Sequence, residues 1–266
     1  MAQQGKVAIV TGASAGIGLA ATRLLVEHGY TVVMIARTRE TLEREAAAIG
    51  PGAVPWPLDM GDIPAVAALP DAVVARFGRL DLVVNNAGLH IRGPLMKNPP
   101  LAYAPVVEVN LTAPIVLTRA ALPHLKPGAA VVNVASLAGR LPLPDAATYS
   151  ATKAGLRYFT AAVAEEHPDL RISTVSPGPV DTGFFGDLSQ VSDMVFSQPM
   201  VTAQYVAQQI LRAAQQPSQE IAITWASGWL TLIGYLFPGL SRALRPMMKR
   251  RGAKKKAAYA ASKGQA

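Results

Sequence analysis

The chain reads Thr11-Gly12-Ala13-Ser14-Ala15-Gly16-Ile17-Gly18 immediately after the apolar run Val7 to Val10. Leucines at helical spacing follow, so this stretch predicts a strand, a tight turn and a helix. Glycines tighten the turn and let backbone N–H groups approach a pyrophosphate, which the dipole of the helix N-terminus stabilises. The segment therefore predicts a dinucleotide site, with a merely tight βα turn as the plainer alternative.

Outward from this turn, short runs rich in Val and Ile alternate with stretches of helical period. This alternation is typical of βαβ units around a buried parallel sheet. We expect one doubly wound, Rossmann-type α/β domain with a seven-stranded parallel sheet over residues 1–225. The expected strands are Val7–Thr11, Thr31–Ala36, Ala53–Leu58, Leu82–Asn85, Ala130–Ala135, Arg171–Ser176 and Glu220–Trp225.

The third of these runs contains Pro55 and Pro57. Proline cannot donate a backbone hydrogen bond, so two prolines place this strand at an edge of the sheet. Strand three is an edge in the Rossmann order 3-2-1-4-5-6, and the prolines therefore favour that order.

Composition and charge exclude several kinds of site and partner. None of the 266 residues is cysteine, which excludes disulfides and cysteine-bound metal. No export signal precedes the first strand, so a cytoplasmic protein is expected. The net charge of +8 is uneven: nine of the 25 Lys and Arg residues follow position 240, where no acid occurs, leaving 16 bases against 17 acids before it. A near-neutral body argues against a nucleic-acid partner, and the basic tail alone supports that alternative.

Arg37 stands just after the second strand, about twenty residues beyond the glycines. An NAD site usually presents an acid to the ribose hydroxyl at this point. A guanidinium there attracts a 2′-phosphate instead, which favours NADP(H), with Ser14 as a second donor. The alternative is a solvated arginine at a helix start.

Tyr149 and Lys153 lie four residues apart, hence on one face of a predicted helix. The spacing alone is weak evidence, because such pairs are common on helix surfaces. Ser136, however, closes a predicted strand at the carboxyl edge of the sheet, where open α/β folds bind their ligands. The three residues together form a candidate catalytic group.

These motifs resemble the short-chain dehydrogenase/reductase family from about Lys6 to the last strand. The family's Thr-Gly-x-x-x-Gly-x-Gly turn is matched at 11–18, its Asn-Asn-Ala-Gly segment at 85–88, its catalytic triad by Ser136, Tyr149 and Lys153, and its fourth catalytic position by Asn110. The resemblance implies hydride transfer between nicotinamide and a carbonyl carbon. It assigns proton exchange to Tyr149. Lys153 is expected to lower the pKa of Tyr149 and to bind the nicotinamide ribose, and Ser136 is expected to polarise the substrate oxygen.

The expected cofactor residues come from the turn, the end of strand two and the family motifs. Asp59 matches an acid that contacts adenine, and the loop after strand six matches one that contacts nicotinamide. The full expected set is Gly12, Ser14, Gly16, Ile17, Gly18, Arg37, Asp59, Asn86, Ala87, Gly88, Tyr149, Lys153, Pro177, Gly178, Val180 and Thr182.

Asn110 lies in a helix predicted over Ala104 to Thr118, four residues before Pro114. Proline has no N–H to give to the Asn110 carbonyl. We therefore predict a kink here and an ordered water on that carbonyl, which would link Lys153 to solvent as the family's proton relay requires.

The segment 182–202 corresponds to the family's substrate lid and mixes glycine with apolar residues. Phe184, Phe185, Met194 and Phe196 are expected to line an apolar pocket or, alternatively, to pack a short helix. The four histidines show no ligand spacing, so no metal site is expected. His90 is expected in a surface loop, with the alternative that it reaches the pocket because it follows the Asn-Asn-Ala-Gly segment.

Residues 226–266 form an apolar and basic extension. The stretch 226–240 is too short for a membrane span and contains glycine and proline. Aromatic residues beside a polybasic run suit peripheral contact with an anionic membrane through 226–256. The alternative is packing across the pocket or a dimer interface, followed by a disordered basic end.

The function expected from all these features is NADP(H)-dependent interconversion of a carbonyl and an alcohol on a bulky apolar, lipid-like substrate. Relatives in the family commonly form dimers or tetramers, so a homodimer or homotetramer is expected. A non-catalytic NADP(H)-binding sensor is the alternative from another class.

Overall fold

The computed structural model describes residues 5–262. Counted along the chain within the sheet, seven parallel strands lie in the order 3-2-1-4-5-6-7, and two further short strands pair separately. This order confirms the Rossmann-type topology and places the proline-bearing third strand at an edge. Residues 1–4 and Lys263, which the sequence interpretation included in the N-terminus and the basic extension, lie outside the described residues.

Helices alternate with the strands along most of the chain, as βαβ units require. The strands are β1 (Lys6–Thr11), β2 (Tyr30–Ala36), β3 (Ala53–Pro57), β4 (Leu80–Asn85), β5 (Leu125–Val134), β6 (Arg171–Pro177), β7 (Val180–Asp181), β8 (Val201–Thr202) and β9 (Glu220–Ile223). The helices are α1 (Gly16–Glu27), α2 (Arg39–Ile49), α3 (Ile63–Phe77), α4 (Ala104–Val107), α5 (Ala113–Ala121), α6 (Ala147–Glu166), α7 (Ala203–Gln215), α8 (Trp225–Leu236) and α9 (Pro238–Ser262).

The central strands are buried on both faces because alternate side chains point into two apolar layers. In β1, Ala8 and Val10 pack with α1, α2 and α7. Val7 and Ile9 pack on the opposite face with residues of α3, α5 and α6. The continuous apolar runs of the sequence thus reflect a sheet covered on both sides, and the polar catalytic candidates lie at its carboxyl edge.

The helix predicted over Ala104 to Thr118 is interrupted. A π-helical turn spans Glu108–Thr112 and separates α4 from α5. Pro114 lacks the N–H that a continuous α-helix would use for the Asn110 carbonyl, and a wider turn accommodates this break. By length and composition, the helical stretch Pro100–His124 could cross a membrane, but it is partly buried and contributes Val109 and Leu117 to the core.

The C-terminal extension packs beside the pocket, as one of the two sequence interpretations expected, but two details of the prediction are wrong. The seventh strand of the sheet, β9, ends at Ile223 and α8 begins at Trp225, so the strand expected over Glu220–Trp225 is too long. The basic run is not disordered within the described residues, because it forms the second half of α9. α9 packs against the lid turn Val195–Ser197.

Candidate active site

In the glycine turn, backbone atoms approach each other too closely for side chains to fit between them. Gly12 and Gly16 have positive φ angles of 66° and 54°, which side chains other than glycine rarely adopt. A Cβ on Gly18 would overlap the carbonyl oxygen of Gly12. The turn therefore leaves no room for side chains and presents backbone to the space above it, as a phosphate-binding turn needs.

The segment after β4 braces this turn. The Asn86 side-chain amide donates to the Thr11 carbonyl at 2.9 Å. The Thr11 hydroxyl accepts the backbone N–H groups of Asn86 and Ala87 at 2.9 and 3.0 Å. These bonds tie the carboxyl ends of β1 and β4 together, so the Asn-Asn-Ala-Gly segment holds the wall of the turn.

Ser136 follows β5, and Tyr149 and Lys153 project from α6 toward the same cavity wall. The Ser136 hydroxyl donates to the Pro177 carbonyl at 3.4 Å, and its interaction with the Tyr149 hydroxyl acts to lower the tyrosine pKa. The Lys153 ammonium donates to the Val134 carbonyl at 2.8 Å and lies 5.8 Å from the centre of the Tyr149 ring. The structure therefore brings the three triad candidates together.

The charges at this wall differ from the sequence-based expectation. Burial raises the pKa of Tyr149, and the Ser136 hydroxyl and the Arg92 charge only partly oppose it. Burial also lowers the pKa of Lys153 to about 8. The expected lowering of the tyrosine pKa by Lys153 is thus not found: Tyr149 is held protonated at neutral pH, because its desolvation outweighs the neighbouring groups.

Asn110 lies in the π turn and is fully buried. Its side-chain amide donates to the Leu89 carbonyl at 2.9 Å and to the Thr152 hydroxyl at 3.2 Å, and its side-chain oxygen accepts the Leu89 N–H at 2.7 Å. The side chain therefore clamps the loop after β4 to α6 behind the cavity wall. The water expected on its backbone carbonyl stays a prediction.

One cavity of about 460 Å³ joins the glycine turn to the lid. Most of the expected site residues line it: Gly12, Gly16, Ile17, Asn86, Ala87, Gly88, Ser136, Tyr149, Lys153, Pro177, Gly178, Val180 and Thr182. Five do not: Ser14, Gly18, Arg37, Asp59 and Asn110. Gly18 is buried beneath the turn, whereas Arg37 and Asp59 are exposed after β2 and β3.

The lid contributes side chains to the far end of the cavity. Phe184, Phe185 and Met194 line it as expected. Phe196 does not; it packs within the lid against Phe185 and Tyr259. A pattern of apolar residues cannot separate these positions, because both environments are apolar.

His90 is a correction to the sequence interpretation. Its ring stacks on Tyr149 with centres 4.4 Å apart and also faces Phe184 at 6.3 Å. Burial, with a smaller contribution from Arg92, lowers the pKa of His90 to about 3, so the ring is neutral. His90 thus lines the cavity instead of standing in a surface loop, and only its position directly after the Asn-Asn-Ala-Gly segment hinted at this.

The C-terminal extension contributes to the cavity wall. The sequence interpretation did not name the residues that do so. Thr231 of α8 and Met248 of α9 line it. Lys256 donates to the Val191 carbonyl at 2.6 Å and pairs with Asp193 at 3.1 Å, which fastens α9 to the lid. The inward surface of α8 is small and polar, while its aromatic residues face outward.

Within residues 5–262, no group of three or more His, Asp or Glu side chains lies close enough to hold a metal ion. A nicotinamide dinucleotide suits the cavity better, because the side-chain-free turn provides backbone at one end and the Ser136 and Tyr149 hydroxyls lie further along the same space.

Comparison with known proteins agrees with this geometry. The short chain dehydrogenase family matches residues 6–192. Cis-4-hydroxycyclohexanecarboxylate dehydrogenase of Sinomonas cyclohexanicum is 38% identical over 66% of this chain and 74% of its own length. L-fucose dehydrogenase of Mus musculus is 35% identical over 70% and 69%, respectively.

Solved structures that resemble this chain are also short-chain dehydrogenases. A short chain dehydrogenase from Burkholderia cenocepacia in complex with NADP is 30% identical, with a TM-score of 0.75 over 82% of this chain and 97% of that one. A short-chain dehydrogenase from Streptomyces avermitilis has a TM-score of 0.77 at 29% identity, over 92% and 97%. The agreement of sequence, sheet order and site geometry makes this chain a member of the short-chain dehydrogenase family of oxidoreductases, which use a nicotinamide cofactor and act on small molecules.

Proposed function

We propose that this protein is an NADP(H)-dependent oxidoreductase that interconverts a carbonyl and an alcohol on a bulky, largely apolar substrate. The observation that carries the proposal is the position of the Tyr149 and Ser136 hydroxyls in a cavity continuous with the glycine turn. The names of the relatives, dehydrogenases of a hydroxycarboxylate and of L-fucose, support the reaction class.

The cofactor would be held by the glycine turn, the segment 86–88 and the loop that contains Pro177 and Thr182. When bound, it supplies or accepts the hydride. Arg37 is exposed after β2 and, unlike Arg39, which pairs with Glu43, has no ion-pair partner among residues 5–262. A free guanidinium at this position supports recognition of a 2′-phosphate and hence NADP(H).

The proton would be exchanged at the Tyr149 hydroxyl. Burial keeps this group protonated, which is the form that carbonyl reduction consumes. The Ser136 and Tyr149 side chains line the same cavity and interact with each other, so both hydroxyls would reach one substrate oxygen. Lys153, buried beside them, would bind the cofactor's ribose and stabilise the negative charge left on Tyr149 after the transfer.

The far end of the cavity supports an apolar substrate body. Its walls there carry Leu141, Leu143, Phe184, Met194 and Met248. Apolar walls with a few convergent polar groups are typical of small-molecule sites, where apolar surface gives affinity and polar groups fix orientation.

The test is NADPH oxidation measured over a panel of linear, alicyclic and aryl ketones and aldehydes, with NADH as the parallel cofactor. We expect turnover with NADPH and the highest kcat/KM for bulky members. Tight NADPH binding without turnover on any member would instead favour a non-catalytic sensor.

A second function, peripheral membrane contact, is favoured by one observation. The outward face of α8 exposes Trp225, Trp229, Tyr235 and Leu236, each with about 60% or more of its surface accessible. Basic residues of α9 follow directly, as in helices that lie in anionic interfaces. We expect binding to phosphatidylglycerol vesicles and none to phosphatidylcholine vesicles, with Trp229→Ser weakening it. Tyr158→Ser, which alters an exposed tyrosine of α6, is the control, and burial of Trp229 in a stable dimer would contradict the proposal.

A further inference from the structure

A guanidinium lies in the otherwise apolar end of the cavity. Arg92, in the loop after β4, lines the cavity beside Tyr149, and its charge acts on the tyrosine hydroxyl. It lies 5.8 and 5.9 Å from the ring centres of Phe184 and Phe185 and donates to the Phe184 carbonyl at 3.2 Å. These contacts position the side chain but use only one of its five N–H donors.

This guanidinium has no counter-charge. Among residues 5–262, no carboxylate lies within ion-pair distance of Arg92, and no Asp or Glu lines the cavity. Asp145 lines an adjoining recess of about 20 Å³ together with His90 and Arg92, but it forms no ion pair with Arg92. A half-buried cation without a partner is unfavourable, because its hydration is lost and not replaced. An anionic ligand would compensate this loss.

A second polar group in the same place is unpartnered. The Nε2 atom of His90 is buried and has no hydrogen-bond partner among the described residues. The His90 ring stacks on Tyr149 and also faces Phe184 of the lid, which the Arg92 guanidinium contacts as well. Unsatisfied buried polar atoms are rare in folded proteins and call for a reason. A polar substituent of the substrate provides one.

Lys153 does not fill this role. Its ammonium is directed to the Val134 carbonyl at the end of β5, on the strand side of Tyr149, and is fixed there at 2.8 Å. Arg92 is held by the lid instead, through Phe184 and Phe185. The two cations are therefore held by different segments of the cavity wall.

We propose that Arg92 binds an anionic group of the substrate, a carboxylate above all, and that His90 supplies an additional hydrogen bond to that end of the molecule. The substrate is then amphipathic: a keto or hydroxy acid whose apolar body packs against the lid. This inference rests on the proposed function, and it adds a charge requirement to it. A planar guanidinium suits a carboxylate because it can donate two parallel hydrogen bonds.

The test compares matched acids and amides. The probes are 4-acetylbenzoate and 3-(4-acetylphenyl)propanoate, each against its own amide, titrated into the NADP⁺-loaded enzyme by calorimetry. At least one acid should bind about tenfold more tightly than its amide, a difference of about 1.4 kcal/mol. Arg92→Gln should abolish the difference, whereas Arg92→Lys should retain part of it.

Lys97→Gln is the matched control, because Lys97 lies in the same loop, is exposed and does not line the cavity. It should leave the preference for the acid unchanged. Equal affinity of acid and amide in both pairs would overturn the inference, as would a preference that survives Arg92→Gln. Loss of NADPH binding in Arg92→Gln without loss of the acid preference would also overturn it, since Arg92 would then serve the cofactor.

Turnover separates the inference from the proposed function. Reduction of the amides without any preference for the acids would leave the oxidoreductase intact and refute the role of Arg92. Tighter binding of an acid without reduction of any probe, or of any member of the carbonyl panel, would support the anion site and refute the oxidoreductase.

Discussion

The glycine-turn end of the cavity and its lid end differ in what forms their walls. At the turn end, the walls are backbone: Gly12, Gly16 and the segment 86–88, held by hydrogen bonds to Thr11. At the lid end, the walls are side chains from separate segments, with Phe184 from the lid and Met248 from α9 among them. A backbone wall accepts one shape of ligand, whereas a side-chain wall changes with each substitution. The cofactor end is therefore fixed by the fold, and the substrate end is adjustable.

Tyr149 stands where the two ends meet, and removing its hydroxyl should have the largest effect. Tyr149→Phe should lower kcat by about 10²- to 10⁴-fold, because a positioned acid contributes about that much. NADPH affinity should stay within a few-fold, since neither wall changes. Tyr158→Phe is the control, on the same helix but exposed. A large change in NADPH affinity would show that the two ends are not independent.

Adding a Cβ to a glycine of the backbone wall should weaken cofactor binding and leave the substrate end unchanged. Gly18→Ala places a methyl group against the Gly12 carbonyl, so the turn must shift. If overpacking of about 1–3 kcal/mol is expressed in the bound state, NADPH affinity falls by roughly 5- to 150-fold. Fluorescence titration of NADPH measures it, with Gly239→Ala, which has open space around it, as the control. Unchanged affinity would contradict the rigid-wall picture.

Arg37 tests a side-chain contribution at the cofactor end. Arg37→Asp should shift the ratio of kcat/KM for NADPH over NADH by about tenfold or more toward NADH, because an acid repels a phosphate and favours a free ribose. Arg39→Asp, which alters an arginine already paired with Glu43, serves as the comparison. An unchanged ratio would disprove the assignment of NADP(H).

The smallest effect is expected where α9 fastens the lid. Lys256→Met removes the donors to Val191 and Asp193, and the exposed Lys255 offers a matched control. A partly exposed pair contributes up to about 1 kcal/mol, so hydrogen exchange in 188–197 should rise no more than about fivefold. No rise at all would mean that the remaining contacts of α9, including the packing of Tyr259 and its hydrogen bond to Asp181, are sufficient to hold the lid.

The contrast between backbone walls and side-chain walls also explains which features could be predicted from the sequence. The glycine turn, the strand order and the grouping of Ser136, Tyr149 and Lys153 follow from local spacing and from proline positions, which act through the backbone. The roles of His90, Phe196 and Met248 depend on which side chains meet after the loops have folded, and no spacing encodes that. The direction of the Tyr149 pKa shift was predicted wrongly for a related reason. The sequence shows the neighbouring charge of Lys153, but it does not show how deeply the tyrosine hydroxyl is buried, and burial is the larger effect.

The prolines of the outermost strand have a consequence for how copies of this protein can associate. Pro55 and Pro57 point their nitrogen atoms to the same side of β3, and proline is tolerated only where no partner strand needs an N–H. This border of the sheet therefore cannot recruit another strand, which protects the protein from edge-to-edge aggregation. If two copies ever extend the sheet across a shared axis, they must do so through β9 at the opposite border.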